Sequence, residues 1–255
     1  MQLPANRFLA ALRAGRPQVG LWVSLSSAVA AEAVAGADFD WVLVDMEHAP
    51  NDIGSVLAQL QVFAAYGATA IVRPEWNDPV LVKRLLDIGA QGLLFPMIRT
   101  PAEAIDAVAS VRYPPRGVRG VSGSTRANRY GRVTDYFARV EEETAVLLQV
   151  ETCAALDEAA AIGAADGVDG VFFGPADIAA DMGLLGQPAH PAVWERILAV
   201  AHRLIAAGVR VGTLVQDPAH ARQLLGDGFN FVACGADSVL LARAADALAR
   251  TMRGA

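Results

Sequence analysis

The chain predicts a closed parallel (β/α)8 barrel, and three observations carry that expectation. Its 255 residues match the usual size of one such domain, about 250 residues. Eight apolar runs of strand length alternate with eight helical patterns. No linker or shift of composition interrupts the alternation, so one domain spanning 1–255 is expected.

Residues 4–14, LPANRFLAALR, read as a short helix ahead of the first strand. Strand candidates follow at Val19–Leu25, Trp41–Asp45, Thr69–Arg73, Gly92–Met97, Ala145–Glu151, Val168–Gly174, Val209–Val215 and Phe229–Cys234. Helical patterns lie at about 28–36, 53–65, 78–88, 101–111, 153–164, 191–207, 217–226 and 237–252. Several begin on Asp, Ser or Thr and several stop at Gly, the residues that satisfy unpaired backbone groups at helix ends. The competing architecture, an open doubly wound sheet, needs a glycine-rich phosphate turn after an early strand. Here the first strand runs into SLSSAVAAEA instead. Residues 112–133 break the rhythm with six arginines, four glycines, two prolines and no acidic residue. Such length marks a functional loop, either a solvated or subunit-contact segment or a cationic flap that attracts anions.

Composition narrows the function. A chain 54% hydrophobic and only 19% charged buries a large core and leaves surface for other subunits to cover. A net charge of −6 argues against a nucleic-acid partner. Neither a signal peptide nor a membrane-spanning run is visible, and Cys153 and Cys234 stand far apart without a CxxC pattern. A cytoplasmic protein with reduced thiols is expected. Lys83 is the only lysine, and it sits in an amphipathic helix away from any strand end. Schiff-base chemistry is therefore disfavoured.

The ionisable residues gather where strands end, which in such a barrel is the active rim. Two apolar runs separated by one helix release Glu151 and Asp177 on neighbouring staves. A carboxylate pair with no cation in either motif suits a hard divalent metal with open positions. On the second strand Asp45 and Glu47 share one side and His48 begins the loop. Either carboxylate is able to orient the imidazole as a general base. Arg73 ends the third strand, where a guanidinium offers forked bonds to an oxyanion or pairs with Asp45 or Glu47. His190, His202 and His220 read as structural. The fourth strand ends without an ionisable group, and Leu214 on the seventh offers an apolar wall.

The runs DMEHAPND (45–52), VRPEWNDP (72–79), RYPPRGVRG (112–120), QVET (149–152) and GPADIAADMG (174–183) closely resemble the HpcH/HpaI aldolase family. The likeness is nearest to its 4-hydroxy-2-oxoheptanedioate aldolase branch, which serves aromatic catabolism. It implies Glu151 and Asp177 as ligands of Mg²⁺, Mn²⁺ or Co²⁺, with no organic cofactor. It further implies Gln149, Gly174, the Ala176 backbone and Asp177 as holders of a pyruvate-type substrate. His48 matches the acid/base residue, Arg73 the transition-state stabiliser, Asp45 the partner beside the histidine and Asp87 a carboxylate that enhances its basicity. The family resemblance also implies a hexamer, a trimer of dimers, with the last helix exchanged between paired subunits. Asp87 falls at the barrel's opposite rim, so it reaches His48 only from another subunit, in a composite site. Trp22, Val121 and the arginine-rich loop are candidates for the aldehyde pocket.

The expected reaction is reversible aldol cleavage of a 4-hydroxy-2-oxo acid to pyruvate, or a relative such as hydroxypyruvate, plus an aldehyde. Its partners are thus small molecules and further copies of the chain, without nucleic acid or membrane. Rival readings are a CoA-ester lyase of the same superfamily and a non-catalytic oligomer that binds 2-oxo acids.

Overall fold

Each apolar run pairs in parallel with the next, and the last returns to the first. The computed structural model describes residues 1–254. Its strands are β1 (Gln18–Val23), β2 (Trp41–Asp45), β3 (Thr69–Arg73), β4 (Gly92–Phe95), β5 (Ala145–Val150), β6 (Gly170–Phe173), β7 (Val211–Val215) and β8 (Phe231–Ala236). β8 closes on β1 with Gln18 opposite Phe231. The strands are almost wholly buried because both faces are covered. Val42, Val44, Val72, Leu148 and Phe173 pack outward beneath the helices. Trp41, Leu43, Ile71, Leu147, Phe172 and Phe231 fill the interior.

That interior is unusually aromatic for its width, and glycine makes the room. A Cβ at Gly20 would run into the Trp41 indole, and one at Gly212 into the Phe231 ring. The helix α1 (Arg7–Arg13) closes the N-terminal mouth. Phe8, fully buried, sets its ring 5.7 Å from Trp41 and 5.6 Å from Phe231. Burying such a ring stabilises by about 1.5–3 kcal/mol. Asn6 both caps α1 and donates to the carbonyls of Gln91 and Glu143, which pins the plug to the barrel.

The outer helices are α2 (Ala28–Ala35), α3 (Ile53–Phe63), α4 (Pro79–Asp87), α5 (Pro101–Val111), α7 (Cys153–Gly163), α9 (Pro191–Ala206) and α10 (Pro218–Gly226). Ser27, Asp52, Asp78, Thr100, Thr152 and Asp217 each cap one of them with a side-chain oxygen, as the sequence signals require. Short α6 (Tyr136–Arg139) and α8 (Pro175–Asp181) are additions to the expected set. Several strand bounds also move. β6 begins at Gly170 rather than Val168 because Val168 closes a turn on Ala165 and the Asp169 carboxylate accepts from the Val146 amide. β7 and β8 each start two residues late, while β4 and β5 stop short of Met97 and Glu151, which belong to the rim.

The last helix, α11 (Asp237–Arg253), departs from the barrel pattern. Its first residue is anchored, Asp237 accepting from the amides of Ser24 and Leu25 and from the Ser24 hydroxyl. From Leu240 onward every described residue is exposed, including Leu241, Leu248 and Met252. An apolar stripe is thus left without cover from its own barrel.

Candidate active site at the C-terminal rim

Arg73, at the end of β3, is the hub. It is 6% exposed and grips Asp45 at the end of β2 with a fork, Nε and Nη2 each donating at 2.8 Å. The register explains the fit, since β2 and β3 place Asp45 directly beside Arg73. Its Nη1 lies 2.8 Å from Glu47 and donates to Gln149 Oε1 at 3.5 Å. The guanidinium also stands 5.2 Å above the Trp22 ring. Burial would raise the Asp45 pKa, but the bonds from Arg73 outweigh it and hold the carboxyl below its ordinary value. For Glu47 burial wins over the attraction of Arg73 and His48, and its pKa is raised.

Glu151 is the second centre. It follows β5, is 2% exposed, and accepts from the Met97 amide at 2.7 Å and from the Gln149 side-chain amide. Met97 reaches it by taking a left-handed backbone, φ +54°. A non-glycine residue in that region is a strained turn of the kind that clusters at functional sites. The fourth strand ends without an ionisable group, yet the turn that follows it supplies this amide. Gly174, the cap of α8, is required by contact: a Cβ there would stand 2.8 Å from Glu151 Oε2. Burial, reinforced by the charges of Asp177 and Glu47, pushes the Glu151 pKa up to about 7.

Asp177 lies in the first turn of α8 and is exposed. Its negative field reaches both Glu151 and Glu47. Among the described residues no three His, Cys, Asp or Glu side chains converge as a ready cation cage. The donor set nonetheless fits a hard divalent ion. Glu151 and Asp177 offer oxygen ligands, and positive charge would relieve Glu151, whose ionised form burial disfavours. Two protein ligands also leave positions for a chelating substrate.

His48 stands at the mouth with its side chain 67% exposed and Nε2 3.9 Å from Glu47. The carboxylate beside the imidazole is thus Glu47, while Asp45 is committed to Arg73 and to the Glu47 amide. A cavity of about 350 Å³ opens here, shared by Trp22, His48, Arg73, Gln149, Gly174, Ala176, Asp177 and Leu214. Trp194 and His220 line it too. The histidine read as structural faces the cavity because the first turn of α10 sits over the end of β7.

Two expected residues are not brought there within one chain. Asp87 ends α4 at the opposite rim, where Arg119 donates to it at 3.0 Å. Val121 is 66% exposed in the arginine-rich loop. Most of residues 114–132 is exposed, but two of the loop's arginines are pinned by their own chain. Arg119 is 2% exposed, stacks 4.6 Å from Tyr113 and donates to the Tyr136 hydroxyl. Arg126 donates to the carbonyls of Ile88 and Leu60.

The whole chain is similar to known proteins. The chain is 52% identical over 245 residues to the 4-hydroxy-2-oxo-heptane-1,7-dioate aldolase of Salmonella arizonae, covering 96% of this chain and 93% of that one. It superimposes on an HpcH/HpaI aldolase/citrate lyase family protein of Burkholderia cenocepacia J2315 with TM-score 0.94 and 42% identity, over 98% of this chain and all of the other. For the HpcH/HpaI aldolase of Desulfitobacterium hafniense DCB-2 the values are 0.86 and 29%, over 95% of each chain. The family model for HpcH/HpaI aldolase/citrate lyase matches residues 18–244, from the first strand into the last helix. A match spanning every barrel strand and the whole carboxylate rim places the chain in the HpcH/HpaI aldolase/citrate lyase family.

Proposed function

We propose that the protein is a divalent-metal-dependent class II aldolase. It reversibly cleaves a 4-hydroxy-2-oxo acid to pyruvate, or a similar 2-oxo acid, and an aldehyde. The observation that carries this reading is a single cavity lined by a clamped arginine, an exposed histidine, Gln149 and Asp177, with Glu151 bonded to Gln149 beside it. The curated relative's substrate, a heptane-1,7-dioate, is a 4-hydroxy-2-oxo acid by name.

A divalent cation held by Glu151 and Asp177 would supply Lewis acidity at the keto oxygen of the bound substrate. Gln149, the Ala176 backbone and Asp177 hold the 2-oxo acid. His48 takes the proton of the C4 hydroxyl, the C3–C4 bond breaks, and the electron pair moves to the keto oxygen as an enolate. Arg73 faces that growing charge. Because Asp45 fixes its fork from behind, the guanidinium pays little reorganisation at the moment of reaction. Glu47, 3.9 Å from the imidazole, favours its protonated form by charge. A proton returned to C3 releases pyruvate.

The assembly we infer is a homo-oligomer with exchanged terminal helices, a hexamer built as a trimer of dimers. The uncovered stripe of α11 supports it, as does the place of Asp87 at the rim opposite His48, from which it could reach that histidine only in another subunit. The test is pyruvate release from 4-hydroxy-2-oxoheptane-1,7-dioate. EDTA is expected to abolish it, Mg²⁺ or Mn²⁺ to restore it, and borohydride with substrate to leave it intact. Turnover unaffected by chelation would overturn the metal; a fully active monomer in light scattering would overturn the composite site.

A further inference from the structure

The arginine-rich loop, which the chemistry above leaves unused, borders a second cavity. It lies at the N-terminal side of the barrel, where Thr69 begins β3 and Thr144 precedes β5, and measures about 330 Å³. Four arginines line it: Arg7 from α1, and Arg119, Arg126 and Arg129 from the loop. Leu60, Phe63, Leu86 and Ala90, all buried, supply an apolar wall. The acids beside them are already committed. Glu143, which also lines the cavity, accepts the Asn6 amide at 2.6 Å, and Asp87 accepts from Arg119. Among the described residues no carboxylate pairs with Arg7, Arg126 or Arg129. Four positive charges against Glu143 and Asp87 leave a surplus of two, in a chain whose net charge is −6.

The loop's own bonds hold this surplus at the cavity. Asn128, 2% exposed, accepts the Thr125 and Gly131 amides on Oδ1 and donates to the Gly123 carbonyl. Between these bonds Arg129 and Tyr130 take left-handed backbone, φ +54° and +58°. Non-glycine residues stay there only where their surroundings impose it. Arg126 is tied to the carbonyls of Ile88 and Leu60, and burial together with the charge of Arg129 lowers its pKa. Arg119 keeps its buried Nε without a hydrogen-bond partner. Like charges gathered beside hydrocarbon favour a counter-charge that carries a hydrocarbon body.

We propose that this cavity binds a small organic dianion, a dicarboxylate or a phosphate monoester, at a site separate from the C-terminal rim. Guanidinium forks match both kinds of oxyanion. Two negative charges cancel the surplus, whereas a monoanion meets half of it and an uncharged analogue none. The apolar wall takes the carbon body, which inorganic phosphate lacks. The site stands apart from the aldolase reading, since none of its lining residues lines the catalytic cavity.

The experiment is isothermal titration of the assembled protein in EDTA, at fixed ionic strength and at a pH where both probes are dianions. Glutarate and phenyl phosphate are the probes; butyrate, inorganic phosphate and pentane-1,5-diol are the controls. At least one probe is expected to bind saturably with Kd of about 1 mM or tighter, and the tighter of the two names the head group. Butyrate and the diol should bind about tenfold more weakly or not at all, as loss of a charge-assisted bond implies. Arg129→Asn, which tolerates the left-handed backbone, and Arg7→Gln should each weaken the probe about tenfold on the same scale. Both side chains belong to exposed residues, and either variant decides the test if the other folds poorly. A repeat with Mg²⁺ and saturating pyruvate should leave the affinity unchanged. Failure of both probes to saturate overturns the proposal, as does equal affinity in the wild type and the variants. So does displacement by pyruvate, which would place the probe at the other rim, or inorganic phosphate binding as tightly as phenyl phosphate.

Discussion

The two ends of the barrel carry the same pair of residues and use it differently. At the C-terminal rim Arg73 clasps Asp45 above the face of Trp22; at the N-terminal side Arg119 bonds Asp87 beside the face of Tyr113. Both arginines are almost wholly buried. Cavities of about 350 and 330 Å³ adjoin them. What differs is the company. Arg73 has a further carboxylate at 2.8 Å and the charge of Glu151 within reach, so negative charge exceeds positive at that rim. Arg119 has one carboxylate and one phenol, and the neighbouring Arg126 bonds only neutral carbonyls. A buried guanidinium is thus no mark of an oxyanion site by itself; within one chain, surplus carboxylates beside an open cavity make the difference.

The comparison is broken most severely at Arg73. Arg73→Ala should lower kcat/KM by about 10²–10³-fold, as loss of an oxyanion-stabilising donor does. It also leaves Asp45 and Glu47 buried without their guanidinium, a cost of about 3–5 kcal/mol, read as a fall in Tm. Arg73→Lys keeps the charge and loses the fork; stability should recover more than activity, which separates clamping from chemistry. Gly174→Ala comes next. The new methyl displaces Glu151, so turnover should fall sharply and the Mg²⁺ needed for half-maximal rate should rise.

Arg119→Met sharpens the contrast from the other side. With Asp87 partly solvated, the stability loss should be about 2 kcal/mol. In a protein kept assembled at high concentration, kcat should change less than for Arg73→Ala. Equal losses in the two variants would mean that the rims are not functionally distinct.

The smallest expected effect is in pH. Glu151 titrates near 7 in the folded, metal-free chain and near 4.5 when unfolded, so the folded state binds the extra proton. Its stabilising share is full below about 4.5 and is lost as pH rises through about 7. In EDTA, Tm should therefore decline over that window. Glu151→Gln should flatten the decline, and no such flattening would place the raised pKa elsewhere.

Much of the rim was legible in sequence because barrel chemistry sits where apolar runs turn polar. Asp45, Arg73, Gln149, Glu151 and Asp177 were singled out in that way, and the cavity brings Arg73, Gln149 and Asp177 together. Met97 was not, since its contribution is an amide presented by a left-handed turn, and no side-chain chemistry announces it. The partner of His48 stayed open because Asp45 and Glu47 share a strand side; only pairing of β2 with β3 commits Asp45 to Arg73 and leaves Glu47 beside the imidazole. α8 was hidden for a different reason. Its seven residues are too few to show a helical period.

Sequence by itself determined the eight-fold alternation, the helix caps and the stave ends that carry acids, because each is written in neighbours within a few positions. Tertiary structure alone decided which arginine meets which carboxylate, that Gly174 must lack a side chain beside Glu151, and that Trp194 and His220 wall the cavity. Those are contacts between residues distant along the chain. Their geometry follows from strand register and helix placement, which local propensity does not encode.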